Sequence, residues 1–371
     1  MLLLSADPAR AALDTRALAW MREPPEAWRS DEARFESLAH DLFAHQFAHC
    51  APYRRFCERR GHTPNRVKHW REIPAVPAGA FKEMALRSFP AEREVHAFRT
   101  SGTATERRGA LHLDTLELYE ASLLPSFRRG VLPDLAPGER ARIRVLAPSP
   151  AETPDSSLSH MFGVVLRELG DAESGFDVQH GALHAGELVA ALEKTAADGV
   201  AVALCGTAFA LVHLLDALAE RGVRIPLATG SRVMETGGFK GRAREMPREA
   251  LYAGIEHALG VAPARIVNQY GMTELGSQFY DSVLREPAHP RRKLAPPWTR
   301  VRMVDPETGG DVAPGDPGVV TILDLANTGS VLAIQTADLG RTIDDGFEVI
   351  GREPGAEARG CSIAADEMLA T

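Results

Sequence analysis

Four hydroxyl side chains and a glycine fall within Arg99-Thr100-Ser101-Gly102-Thr103-Ala104-Thr105-Glu106. Backbone N–H groups and hydroxyls at that density can turn inward on a polyanion, so the stretch reads as a phosphate-gripping loop. It is not a Walker loop, because no Gly-Lys-Ser/Thr follows. A second cluster, Asn268-Gln269-Tyr270-Gly271-Met272-Thr273-Glu274, joins a flat aromatic face suited to a purine with the oxygens of Thr273 and Glu274, which suit a hard cation such as Mg2+. Gly271 between them permits a tight turn. In Glu235-Thr236-Gly237-Gly238-Phe239-Lys240-Gly241 a glycine pair lets a planar base approach the backbone, and in Gln335-Thr336-Ala337-Asp338-Leu339-Gly340-Arg341 the Asp338 carboxylate can take two hydrogen bonds from a ribose diol. Each cluster alone is also an ordinary turn, with Glu274 a charge at a helix N-terminus and Asp338 a turn former.

The elements around these clusters would have to present them. From Arg142 to about Tyr270 apolar strands alternate with helices: strand Ile143–Ala147, helix Leu158–Leu169, helix Ala185–Thr195, strand Val200–Cys205, helix 207–220, strand Leu227–Thr229, helix Arg248–Leu259 and a strand opening at Arg265–Asn268. That pattern predicts an α/β fold with a mostly parallel sheet covered on both faces, whose ligands sit at the carboxyl ends of the strands. Upstream, Ser30–Cys50 reads as a helix capped by Ser30, with Phe35, Leu38, Leu42, Phe43 and Phe47 on one side. Asp114 and Glu117 read as a capping box opening a helix through Leu116, Tyr119, Leu123 and Leu124. Residues 61–90 are a proline-rich lead into the first sheet. Beyond Pro296, the runs Arg300–Val304, Gly318–Leu323, Val331–Gln335 and Gly346–Ile350, separated by turn residues, predict a small antiparallel or barrel-like subdomain.

At 371 residues the chain can bury a large core, and 44% apolar with 25% charged residues is a globular balance. A formal charge of −8 argues against a nucleic-acid groove, which needs clustered positive charge. Neither a transmembrane run nor a signal-peptide leader is visible, and Cys50, Cys57, Cys205 and Cys361 suit neither a zinc ribbon nor a disulfide framework, so a cytoplasmic protein is expected. His45-Gln46-Phe47-Ala48-His49 has metal-ligand spacing, yet Gln46 stands where a zinc peptidase carries its Glu base. The expectation there is histidines on a partly exposed helix.

In order along the chain, a Ser/Thr-rich loop, Tyr270-Gly271-Met272-Thr273-Glu274, Thr336-Ala337-Asp338-Leu339 and Gly351-Arg352 make a pattern that resembles the adenylate-forming superfamily of acyl-CoA synthetases, luciferases and nonribosomal adenylation domains. Glu235–Gly241 together with Arg359-Gly360-Cys361-Ser362 is similar to its acyl-protein synthetase, LuxE-like branch. The resemblance implies an α/β adenylate-forming core over 1–295, a small β subdomain over 296–350, and a hinge remnant and tail over 351–371, with the usual C-terminal domain largely absent. It implies that ATP activates a carboxylic acid, a fatty acid in this branch, as an acyl-adenylate with Mg2+ present. Thr100, Ser101, Gly102 and Thr103 would hold phosphates, and Glu274 with Thr273 would place the metal. Asp338 would fix the ribose, Gly237, Gly238, Tyr270 and Gly271 would border the adenine, and Arg352 would reach the ribose or α-phosphate.

Departures accompany the resemblance. Arg107-Arg108 stands near the phosphate loop where superfamily members carry a lysine, and the C-terminal adenylation lysine has no counterpart, leaving Lys240 or a partner subunit to supply positive charge. In this branch a cysteine near the C-terminus accepts the acyl group before an acyl reductase receives it, and Cys361 matches that position. The competing expectations are an aryl- or alkyl-CoA ligase of the same superfamily and a non-catalytic nucleotide-binding subunit.

Overall fold

The computed structural model describes residues 5, 7–101, 107–237 and 246–352. Gly102, Thr103, Gly238, Lys240 and Cys361 therefore lie outside the described residues. Two compact units emerge, one from residues 1–125, 272–278 and 293–371, the other from 126–271 and 279–292.

The first unit begins with helices α1 (Pro8–Met21), α2 (Glu32–His49) and α3 (Ala51–Arg59). Asp7 caps α1 by accepting from the Ala9 N–H at 3.0 Å, and Pro8 takes the first helical position, where its missing N–H costs nothing. The cap of α2 is Asp31, one residue beyond the expected Ser30, because its carboxylate meets the Arg34 N–H at 2.9 Å. Phe35, Leu38, Leu42 and Phe43 line the buried side of α2 as expected, but His45 is buried with them rather than partly exposed. A short strand β1 (Val76–Pro77), the turn of helix α4 (Ala80–Glu83) and the hairpin β2 (His96–Arg99) with β3 (Ala110–Leu113) follow. Helix α5 (Glu117–Val131) starts without the expected capping box. The Thr115 hydroxyl accepts from the Glu117 N–H at 3.1 Å, while Asp114 is drawn away to the buried Arg10 at 3.2 Å.

The second unit is the expected parallel sheet. Strands β4 (Arg142–Leu146), β5 (Gly175–Phe176), β8 (Val202–Thr207), β9 (Arg232–Thr236) and β10 (Ile266–Tyr270) lie in the order β5-β4-β8-β9-β10, all parallel. A separate small hairpin of β6 (Val178–Gln179) and β7 (Ala182–Leu183), and strand β11 (Phe279–Asp281), antiparallel to β10, complete the strands of this unit. Helices α6 (Ser157–Leu169), α7 (Ala185–Ala197), α8 (Ala208–Glu220) and α9 (Arg248–Leu259) cover it. Leu204, Val233 and Ile266 from the strands bury against Leu192, Leu211, Leu214 and Ile255 from the helices, each such side chain contributing about 2 kcal/mol. The strand expected at Leu227–Thr229 is instead β9, five residues on. Arg232 and Glu235 break its apolar run, and they are tolerated inside because Arg232 pairs with Asp134 and Glu235 with Tyr252.

The first unit resumes after β11 with β12 (Lys293–Leu294), β13 (Thr299–Val304), β14 (Gly318–Asp324), β15 (Ala333–Ile343) and β16 (Gly346–Arg352). They pair antiparallel in the order β13-β14-β15-β16-β12, with β1 alongside β15 in parallel. The antiparallel strands expected beyond Pro296 are thus present, without closing into a barrel among the described residues.

Candidate active site

In the second unit, the parallel register sets Glu235 opposite Asn268 and Thr236 opposite Gln269, so Gly237, Tyr270 and Gly271 emerge together at the carboxyl ends of β9 and β10. A hydrogen-bonded frame holds them. The buried Glu235 carboxylate accepts from the Tyr252 hydroxyl at 3.0 Å and from Asn268 Nδ2 at 2.6 Å, and the Thr236 hydroxyl donates to the Gln269 carbonyl at 3.2 Å. Asp281 accepts the Asn268 backbone N–H at 3.1 Å and is itself paired with Arg291 at 2.6 Å. Gly237 has φ +71°, and a Cβ there would touch nothing within 4 Å, so the backbone conformation rather than crowding calls for glycine. Tyr270 is half-buried, its ring 6.2 Å from that of Phe279.

In the first unit, Asp338 on β15 lies directly opposite Arg352 on β16, and Arg352 Nε donates to Asp338 Oδ1 at 3.2 Å. Sequence reasoning named both, and the structure brings them together on the sheet surface. The Thr336 hydroxyl accepts the Asp338 N–H at 3.1 Å and donates to the Val320 carbonyl at 2.8 Å, which anchors the strand just before the carboxylate. Thr100 and Ser101 stand on a different element, where the β2–β3 hairpin opens. There the Thr100 hydroxyl accepts from Gly109 N–H at 2.9 Å and its carbonyl from Arg108 Nε at 2.6 Å. Arg107 is turned to Glu83 at 3.0 Å, so both arginines hold the ends of the loop.

Thr273 and Glu274 form a turn, not a helix start, closed by Leu275 N–H to the Met272 carbonyl at 3.1 Å. Their neighbours in the fold escaped sequence reasoning. Asn327 Nδ2 donates to the Glu274 carbonyl at 2.8 Å, and Gln46 of α2 donates to the Asn327 carbonyl at 2.8 Å while accepting the Leu332 N–H at 2.9 Å. Directly after Gly276, Ser277 gives its N–H and hydroxyl to Asp324 at 2.8 and 2.7 Å, and Trp298 Nε1 donates to the Ser277 hydroxyl at 3.0 Å. Gly276 is required for space, since a Cβ would lie 2.7 Å from Ala326 Cβ and 3.0 Å from Asn327 Oδ1. The available signal was Asp324 and Asn327, polar residues at the end of an apolar strand run. Burial raises the Asp324 carboxyl to about 6. Thr273 and Glu274 offer a hydroxyl and a carboxylate on one braced turn, a hard-oxygen set that fits Mg2+.

Cys50, Cys57 and Cys205 are all buried, and burial pushes their thiols up, to about 11 for Cys50, to about 12 for Cys205 and further for Cys57. Among the described residues no helix is long and apolar enough to cross a membrane.

The profile of the family described as acyl-protein synthetase, LuxE, matches residues 5–370. The chain belongs to the LuxE acyl-protein synthetase family. A long-chain-fatty-acid–luciferin-component ligase of Aliivibrio fischeri is 23% identical over 324 residues, covering 85% of this chain and 82% of that protein. Among solved structures, an open conformation of 2-hydroxyisobutyryl-CoA ligase with its adenylate and CoA matches with a TM-score of 0.63 at 16% identity, over 88% of this chain and 72% of that one. The same ligase in its postadenylation state also matches with a TM-score of 0.63 at 16% identity, over 86% and 67%. At such identity the likeness establishes a shared fold, the mixed α/β architecture of adenylate-forming ligases. This LuxE-family chain is accordingly an adenylate-forming acid–thiol ligase.

Proposed function

We propose that this chain activates a carboxylic acid, a long-chain fatty acid foremost, with ATP, and passes the acyl group to its own Cys361 for delivery to an acyl reductase. In the first step a carboxylate oxygen bonds to the α-phosphorus of ATP, and the bond to the bridging oxygen breaks to release pyrophosphate. In the second, the Cys361 thiolate attacks the acyl carbonyl and AMP departs with the electron pair of the broken anhydride bond, leaving a thioester. Positioning and charge neutralisation carry most of the first barrier.

The roles follow the motifs. Thr100, Ser101, Gly102 and Thr103 grip the β- and γ-phosphates. Gly237, Gly238, Tyr270 and Gly271 border the adenine, Asp338 receives the ribose hydroxyls, and Arg352 meets the ribose or α-phosphate after leaving its ion pair. Thr273 and Glu274 would hold Mg2+, which when bound offsets negative charge on the phosphate oxygens. Lys240 supplies a cation near the reacting phosphate.

One observation supports a cysteine acceptor at 361 above all. Among the described residues the other three thiols are buried and burial raises their pKa, which disfavours each of them as the acyl acceptor. Intact-mass spectrometry after incubation with ATP, Mg2+ and a fatty acid tests the reading. A hydroxylamine-labile acyl adduct is expected on the native chain and not on Cys361→Ser, which retains acid-dependent pyrophosphate exchange. A thioester that survives Cys361→Ser contradicts the transfer step, and acyl transfer to free CoA without protein labelling makes the chain a CoA ligase.

A further inference from the structure

The His45–His49 pair, which the ligase chemistry does not use, acquires a third partner in the fold. Asp7, at the start of α1, brings a carboxylate oxygen to the two imidazoles, one ligand atom of each lying within 4.8 Å of the others. The two rings stack 4.3 Å apart on successive turns of α2. His45 is only 8% exposed, and its Nε2 has no hydrogen-bond partner among the described residues. The Ser88 N–H beside it is spent on the Gly329 carbonyl at 2.9 Å and so does not cap the ring. The buried Nε2 can therefore offer its lone pair to a metal.

We propose that Asp7, His45 and His49 form a zinc site that clips the start of α1 to the last turn of α2. Two imidazoles and one carboxylate are a borderline-soft set of the kind zinc takes, with water as the fourth ligand, whereas Mg2+ and Ca2+ demand more oxygens. Asp7 can cap and ligate together, because Oδ1 receives the Ala9 N–H and the second oxygen remains. Arg10 faces the cluster from α1, and its charge is met by Asp14 at 2.7 Å and Asp114 at 3.2 Å. His49 is the final residue of α2, where the helix dipole favours a cation.

The test uses the full chain, stripped with a chelator and titrated with Zn2+ against a chromophoric competitor. One tight equivalent is expected, with a rise in melting temperature on zinc addition. His49→Ala, at an exposed position, should weaken that equivalent by about 100-fold and abolish the melting shift, while Asp7→Asn, which keeps a capping side chain, should weaken it by about 10-fold. Circular dichroism establishes that each variant is folded. Zinc binding that is absent in the native chain, unchanged in His49→Ala, or lost on thiol alkylation alone overturns the site. Acid-dependent pyrophosphate exchange is read separately, so failure of the zinc site leaves the ligase reading to its own test.

Discussion

Two carboxylates of the first unit, Glu274 and Asp324, invite contrasting tests. Glu274 has its backbone carbonyl bonded to Asn327 at 2.8 Å, a brace on its turn that a side-chain substitution leaves in place. Glu274→Gln, nearly the same in shape, should retain the fold by circular dichroism and lose on the order of 100-fold in pyrophosphate exchange, as when one charge-stabilising group is taken from a reacting centre. An exchange rate within a few-fold of the native chain would remove Glu274 from the metal. Asp324 is a brace. It accepts from the Ser277 N–H and hydroxyl and from the Ala326 N–H, all neutral donors, and its carboxyl is raised by burial to about 6. The folded chain therefore retains a proton that the unfolded chain has already released. Its contribution to stability is complete below the ordinary carboxylate value and is lost as pH rises through about 6, a change of about 3 kcal/mol. Asp324→Asn should abolish that fall, measured as denaturant-unfolding free energy from pH 4 to pH 7, and should cost about 1–3 kcal/mol by turning an acceptor into a donor facing N–H groups. Parallel pH profiles for the two chains would show that Asp324 does not titrate there.

At the scale of elements, α2 is a strut with two working faces. Phe35, Leu38, Leu42 and Phe43 bury its apolar side, while Gln46 reaches the Asn327 carbonyl and the Leu332 N–H, and Asn327 in turn holds the Glu274 turn. Gln46→Ala leaves a buried donor and acceptor without their partner, at a cost of about 3 kcal/mol. It should also lower exchange activity although Gln46 meets neither substrate. Thermal unfolding and exchange kinetics measure both effects, and a destabilised variant with native kinetics would mean that the turn is held by other contacts. The helix itself was legible from apolar spacing. Gln46 was not, because a lone glutamine between two histidines carries no periodic signal and its partners Asn327 and Leu332 lie 281 and 286 residues on. Strand β9 was misplaced for a related reason: Arg232 and Glu235 look like surface residues until Asp134, Tyr252 and Asn268 neutralise or bond them.

For the whole molecule, family membership over residues 5–370 makes adenylate formation the activity to be read globally. A non-hydrolysable acyl-adenylate analogue at a hundred times its dissociation constant should stabilise the chain by about 2.7 kcal/mol, seen as a melting shift that Asp338→Ala diminishes. An unchanged melting curve at saturation would contradict nucleotide binding at Asp338. What the sequence determined unaided was what is local or carried by residue type: the alternation of helices and apolar strands from Arg142 to Tyr270, and the Tyr270–Glu274 and Thr336–Asp338 motifs. Hydrophobic periodicity and turn chemistry act over a few residues and survive in any context. Only the tertiary structure decided that Asp338 faces Arg352, that Asp324, Asn327 and Gln46 brace the Glu274 turn, and that Asp7 joins His45 and His49. Those depend on strand register and on side chains far apart along the chain, and a buried polar group declares its purpose only once its partner is beside it.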